Sequence, residues 1–283
     1  MTESWGKQSL PVLLALLAGC ASQAPKPPAA PGGPTPPTAA SPAAAPTYFS
    51  PGQIDSIALI EPPPVAGSVA ARADLQAVRE AQRTAHAAGT TARAVADTVI
   101  DCQRVAEVLV PATPASGAAV NATPLAGGDG AAAVAFATRA AKQVAGATGP
   151  PKRYWARPRP YIVSADVERL GDVAPDSPYA INGGYERAHT SYPSGHMTFG
   201  TACAIVLAQM VPEQSAALFA RGLLYGESRL IVGAHFPTDV DAGRRVGTAA
   251  SAVMLQNAPF QADLRAARAQ LRGVIGLAQT TPL

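Results

Sequence analysis

Long apolar runs, dense charge and aromatic side chains are all scarce in this sequence, and each shortage closes off a class of protein. The apolar stretches at residues 10–18 and 197–211 fall short of the roughly 20 residues that a membrane-spanning helix needs. Charged residues make up only 14% of the 283, the net charge is +3, and no Lys/Arg run stands out. A nucleic-acid groove is therefore not expected, and small anions are better partners. Aromatic residues are 5% and no stretch beyond a few residues alternates with period two, so closely packed helices are favoured over sheet. No internal repeat divides the chain. What is present is a 48% hydrophobic share, enough for a sizeable core.

Cysteine is also sparse, with Cys20, Cys102 and Cys203 alone. Cys20 ends the run Leu17-Ala18-Gly19-Cys20 after a short apolar segment preceded by Lys7. This is the pattern of a bacterial lipoprotein signal, so residues 1–20 are expected to direct export and Cys20 to be acylated. Residues 21–47 are rich in Ala and Pro and nearly uncharged, as in an extended tether. The expected location is the periplasm, with contact to the outer membrane only through that lipid anchor. Cys102 and Cys203 then remain as an even pair in an oxidising compartment. One disulfide and two separately buried thiols are both open readings.

Residues 48–283 are expected to form one all-α domain. Ser68 offers an N-cap for a helix to about His86, and Val95, Val99, Val105 and Leu109 suggest a second over 91–110. A third is expected over 131–147. Residues 149–194 read as a long irregular connection because prolines fall at 150, 151, 158, 160, 175, 178 and 193. Residues 197–211 are apolar on nearly every side, which predicts a central helix buried all round. Further helices are expected over 212–232, 237–256 and 259–271. The fold class is a helical bundle around a buried central helix, with the irregular connection carrying part of the site.

Three segments hold the chemistry-bearing residues. Lys152 and Arg159-Pro160 lie in the first, Pro193-Ser194-Gly195-His196 in the second, and Ser228-Arg229, His235 and Asp239 in the third. Taken singly, each has a bland reading: solvated charges, a helix cap, a surface His/Asp pair. Three cations together would repel a divalent metal, so none is expected at His196, His235 and Asp239. They favour an anion instead. Arginine grips phosphate oxygens with its planar fork, lysine adds a point charge, and the N–H groups of Ser194 and Gly195 at a helix start offer fixed donors.

The order Lys-x6-Arg-Pro, Pro-Ser-Gly-His, Ser-Arg-x5-His-x3-Asp resembles the signature of the type-2 phosphatidic acid phosphatase superfamily, which includes vanadium haloperoxidases. Pro62-Pro63-Pro64, Gly67-Ser68, Asp74, Ser191-Tyr192, Arg221-Gly222, Tyr225-Gly226-Glu227 and residues 239–244 narrow the likeness to class A bacterial non-specific acid phosphatases. Thr190 and Met197 depart from that class, where glycine and threonine are usual. The resemblance implies a cofactor-free phosphatase acting on small phosphomonoesters with broad specificity, and open to phosphotransfer. It implies that His235 attacks phosphorus while Asp239 orients it. By the same carry-over, His196 protonates the leaving oxygen and later activates water. His196 would begin protonated and His235 unprotonated, giving a bell-shaped pH profile with an acidic maximum.

Alternatives are a lipid or prenyl pyrophosphate phosphatase, a vanadium-dependent haloperoxidase, and a catalytically silent anion binder. Association into homo-oligomers is left open. His86 is expected to be a solvated helix residue, while a place for His189 at the pocket mouth is left open as the lesser reading. Tyr154, Trp155, Tyr161 and Tyr192 could stack on an aromatic leaving group or pack in the core.

Overall fold

The computed structural model describes residues 45–111, 125, 127–174 and 189–279. The signal segment, Cys20 and most of the tether, up to residue 44, lie outside the described residues.

The described residues form helices and no strand, as composition predicts. In chain order these are α1 (Val69–Ala88), α2 (Thr91–Ala96), α3 (Gln103–Ala106), α4 (Gly128–Ala145), α5 (Gly149–Trp155) and α6 (Pro160–Val163). Then come α7 (Gly195–Met210), α8 (Ser215–Ile231), α9 (Pro237–Met254) and α10 (Ala258–Val274). Local chemistry explains several ends. Ser68 caps α1 by accepting the Ala71 N–H, and Gly89 closes it in the left-handed conformation at φ 66°. Pro160 and Pro237 open α6 and α9 where a missing N–H costs least.

Helix α7 is the centre, packed on α4, α8, α9 and α10. Phe199, Leu207 and Met210 are fully buried on it, each stabilising the fold by about 1.5–3 kcal/mol relative to an exposed side chain. Glycine lets its neighbours approach: a Cβ on Gly222 of α8 would stand 2.8 Å from the Gly200 carbonyl of α7. Gly243 of α9 lies against the Ser194 carbonyl in the same way. These contacts fix the start of α7 beside α8 and α9. Cys102 at the start of α3 is disulfide-bonded to Cys203 in the middle of α7, across 101 residues of chain.

Two expected elements differ. The helix expected over 91–110 is broken between α2 and α3. Tertiary partners outweigh its apolar spacing. Asp97 is fully buried and receives hydrogen bonds from Arg221 and from Ser228 Oγ at 2.7 Å, while Tyr225 donates to the Val99 carbonyl at 2.9 Å. The connection expected to be irregular from 149 onward contains α5 and α6, because Pro150, Pro151 and Pro160 sit at helix starts rather than inside them, and also a 3-10 turn at Gly171–Val173.

Candidate active site

The site grows from the ends of these helices. Arg229 lies in the last turn of α8, and the short link that follows carries His235, whose backbone N–H donates to the Arg229 carbonyl at 3.2 Å. Asp239 lies in the first turn of α9 and caps it, accepting the Phe236 N–H on Oδ2 at 2.8 Å. The start of α7 supplies Ser194, Gly195 and His196, and the α5–α6 region supplies Lys152, Arg157 and Arg159.

Charge then shows which residues share one space. His235, only 2% exposed, is held well below the ordinary imidazole range by burial and by Arg159, Lys152, Arg229 and His196, in that order. His196 is pulled from 6.5 to about 3 by burial and Arg229, with Arg159 adding to the effect and Asp172 opposing it. Two imidazoles and three cations thus lie near enough to act on one another electrostatically. All but Lys152, His196 and Gly195 are buried among the motif residues.

The tautomer of His235 follows from its neighbours. Arg159 Nη1 donates to the Ala234 carbonyl at 2.8 Å and lies 3.3 Å from His235 Nε2. A guanidinium has no lone pair to offer, so Nε2 must be the acceptor nitrogen and Nδ1 must carry the hydrogen. That Nδ1 lies 3.5 Å from Asp239 Oδ2, close enough for electrostatic support but without a well-formed hydrogen bond. On His196 the Nε2–H donates to the Thr98 carbonyl at 3.1 Å, a carbonyl made available by the break between α2 and α3. The helix break is therefore part of the site.

Several neighbours were not singled out as site residues by sequence reasoning. Arg157 is buried between two carboxylates, with Nη1 donating to Asp239 Oδ1 at 2.6 Å and Nη2 to Asp74 Oδ2 at 2.7 Å. Thr238 Oγ1 also accepts from Arg157, at 2.8 Å, and the guanidinium stacks 4.0 Å over the Phe236 ring. Ser191 Oγ donates to Asp239 Oδ2 at 2.5 Å. Asp172 pairs with Arg229 Nη2, its two oxygens at 2.8 and 3.0 Å. Arg157 sits within the first motif segment, a charge between Trp155 and a proline, and that was the available signal. Nothing local marks Asp172.

Some expected roles shift. The Ser194 N–H donates to the Asp239 carbonyl at 2.8 Å, so it is not a donor for a bound anion; the chain crossing between α7 and α9 takes it. Ser194 Oγ caps α7 by accepting from Met197 N. Lys152 Nζ donates to the Thr190 carbonyl, and His189 is partly buried beside that residue. Met197 is buried against Gly226 and Gly243 as a packing residue. His86 is half-exposed and paired with Glu168 at 2.6 Å. Trp155 packs edge-on between the exposed Tyr154 and the buried Tyr192, and Tyr161 lies under Arg169. Among the described residues no His/Cys/Asp/Glu group could hold a metal ion, and no helix is long and apolar enough to cross a membrane.

Comparison with known proteins places the same region. The chain is 39% identical over 126 residues to a non-specific acid phosphatase of Salmonella typhimurium, covering 44% of this chain and 46% of that protein. It is 32% identical over 130 residues to an acid phosphatase of Zymomonas mobilis, covering 44% and 43%. It is 44% identical over 78 residues to a non-specific acid phosphatase of Providencia stuartii, covering 28% and 32%. The matched stretches span less than half the length of these relatives. Residues 130–262, which hold both motif histidines, all three cations and Asp239, match the PAP2 superfamily.

Proposed function

We propose that this protein is an acid phosphatase that hydrolyses small phosphomonoesters through a phosphohistidine, without a metal ion. The observation that carries the reading is the pairing of a buried, unprotonated His235 Nε2 with Arg159, beside the buried Arg229 whose Nε and Nη1 have no protein acceptor. A nitrogen that carries a lone pair, next to Arg229 hydrogens without a protein acceptor, suits a phosphoryl group, which supplies an electrophilic phosphorus and acceptor oxygens together. The relatives' names point to the same reaction class.

His235 Nε2 attacks phosphorus as the phosphorus–ester oxygen bond breaks, and the leaving oxygen takes a proton from His196. Arg159, Arg229 and Lys152 neutralise charge on the remaining oxygens. The imidazolium formed at His235 is stabilised by Asp239, which Arg157, Ser191 and the Phe236 N–H hold in place. Water then attacks the phosphorus, giving its proton to His196 as the phosphorus–nitrogen bond breaks, which restores the Nε2 lone pair of His235 and releases phosphate.

One expectation changes. Because burial and Arg229 hold His196 near 3, the free site does not keep it protonated at mildly acidic pH. A bound phosphate reverses the sign of the nearest charge and favours His196 as a cation, so a monoanionic ester can bring the proton with it. Since the second phosphate pKa is about 6, activity is expected to fall above that range. The disulfide suits an oxidising compartment and supports export, with the lipid anchor at Cys20 as part of this proposal.

The test is turnover of p-nitrophenyl phosphate in excess chelator by the wild-type chain and by His235→Ala. Retained activity with chelator, loss of about 10⁴-fold or more in the variant, and an acid-labile phosphoenzyme in the wild type alone are expected. Activity lost on chelation, or a phosphoenzyme surviving in the variant, would reject the mechanism. Turnover of lipid phosphates in detergent to the exclusion of small esters would reject the substrate class.

A further inference from the structure

Arg229 is 1% exposed, and a buried cation needs an anion whether or not substrate is present. In this structure Asp172 is that anion. Both of its oxygens crowd onto the single nitrogen Nη2, at 2.8 and 3.0 Å, while Nε and Nη1 remain buried without acceptors. The pair meets the charge requirement and leaves most of the guanidinium's hydrogen-bonding capacity unmet.

Arg221, on the same helix, also keeps one buried nitrogen, Nη1, without an acceptor, and the contrast lies in the carboxylate it holds. Its partner Asp97 is fully buried and also bound by Ser228 Oγ at 2.7 Å. The Asp172 side chain is 11% exposed and stands on the 3-10 turn Gly171–Val173. That turn is anchored independently. Val173 is buried with Ala94, Val232 and Ala234, the Leu170 N–H donates to the Val232 carbonyl at 3.2 Å, and Arg169 Nε donates to the Val173 carbonyl at 2.9 Å. The turn therefore does not depend on the Asp172–Arg229 pair for its place.

We infer that Asp172 sets the affinity of this site for phosphate: its carboxylate occupies Arg229 in the free protein and yields that guanidinium to the phosphoryl oxygens of a bound ligand. The inference rests on the reading of the cradle as a phosphate site. Exchange of one anion for another keeps Arg229 neutralised throughout. It also preserves the negative charge near His196, since Asp172 already favours the protonated form of that residue. An internal competitor weakens binding by the fraction of time it holds the site. A pair closed about nine times in ten raises the apparent Kd about tenfold.

The experiment is calorimetric titration of inorganic phosphate into the full chain as wild type, Asp172→Asn and Asp172→Ala. Both variants are expected to bind phosphate about tenfold more tightly, with KM for p-nitrophenyl phosphate and the phosphate inhibition constant falling together. Thermal melts check that each variant is folded, and two substitutions guard against one that is not. Binding that is unchanged or weaker in the folded variants would overturn the inference, since Asp172 would then be a support for Arg229 rather than its competitor. A wild-type chain that binds phosphate but is inert toward the ester counts against the phosphatase reading alone, because the binding comparison among the three chains does not depend on turnover.

Discussion

Two buried arginines flank the site in opposite conditions. Arg157, on the inner side, lies between Asp74 and Asp239 with Thr238 as a third acceptor, and it has no orphaned nitrogen. Arg229 has one carboxylate partner and two nitrogens without acceptors. The first is a closed unit that holds Asp239, and through it the setting of His235. The second is open, with guanidinium hydrogens left without a protein acceptor. Burial and residue type are the same at both positions, so the difference lies in how many acceptors the fold supplies.

The comparison can be broken first at Arg157. Replacing it with Met leaves the buried carboxylates of Asp74 and Asp239 uncompensated, and a loss of about 3–5 kcal/mol in denaturant unfolding is expected. Arg229→Met should behave otherwise. Its one carboxylate partner, Asp172, has access to water, so stability is expected to change by less than about 1.5 kcal/mol while phosphate turnover falls about 10²–10³-fold. Equal stability losses in the two variants would erase the distinction between closed and open cations.

A covalent tie outside the site comes next. Reduction of Cys102–Cys203 is expected to cost about 2–4 kcal/mol, with folded, reduced protein still active, because the bond joins α3 to the middle of α7 rather than to the catalytic end. Urea midpoints with and without reductant measure it. The last effect is on pH. His196, at about 3 against an ordinary 6.5, stays neutral in the folded chain while the unfolded chain takes up a proton, and His235 is shifted in the same direction. Stability of the free protein should therefore decline as pH falls below 6.5 toward 3. His196→Gln should flatten that decline, and an unchanged slope would remove His196 from the cationic pocket.

Much of the site was legible because its residues are tied to short motifs. Lys152, Arg159, Arg229, His235 and Asp239 are placed by spacing within single segments, and the central helix announced itself through an uncharged stretch apolar on all sides. The break between α2 and α3 was not legible, since the Val spacing there is helical and only Arg221, Ser228, Tyr225 and His196 reward the broken form. Asp172 was equally hidden. It stands in a proline-punctuated connection, 57 residues from the arginine it pairs with.

The sequence by itself determined an all-helical chain, the order of its main helices and the residue types of the candidate site, because periodicity, caps and motif spacing act over a few residues. Tertiary structure alone decided which nitrogen of His235 holds the lone pair, which N–H of the Ser194 turn is already taken, and which buried arginine is closed and which open. Those outcomes depend on distances between segments far apart in the chain. Hydrogen bonds and desolvated charges respond to such distances within a few ångströms.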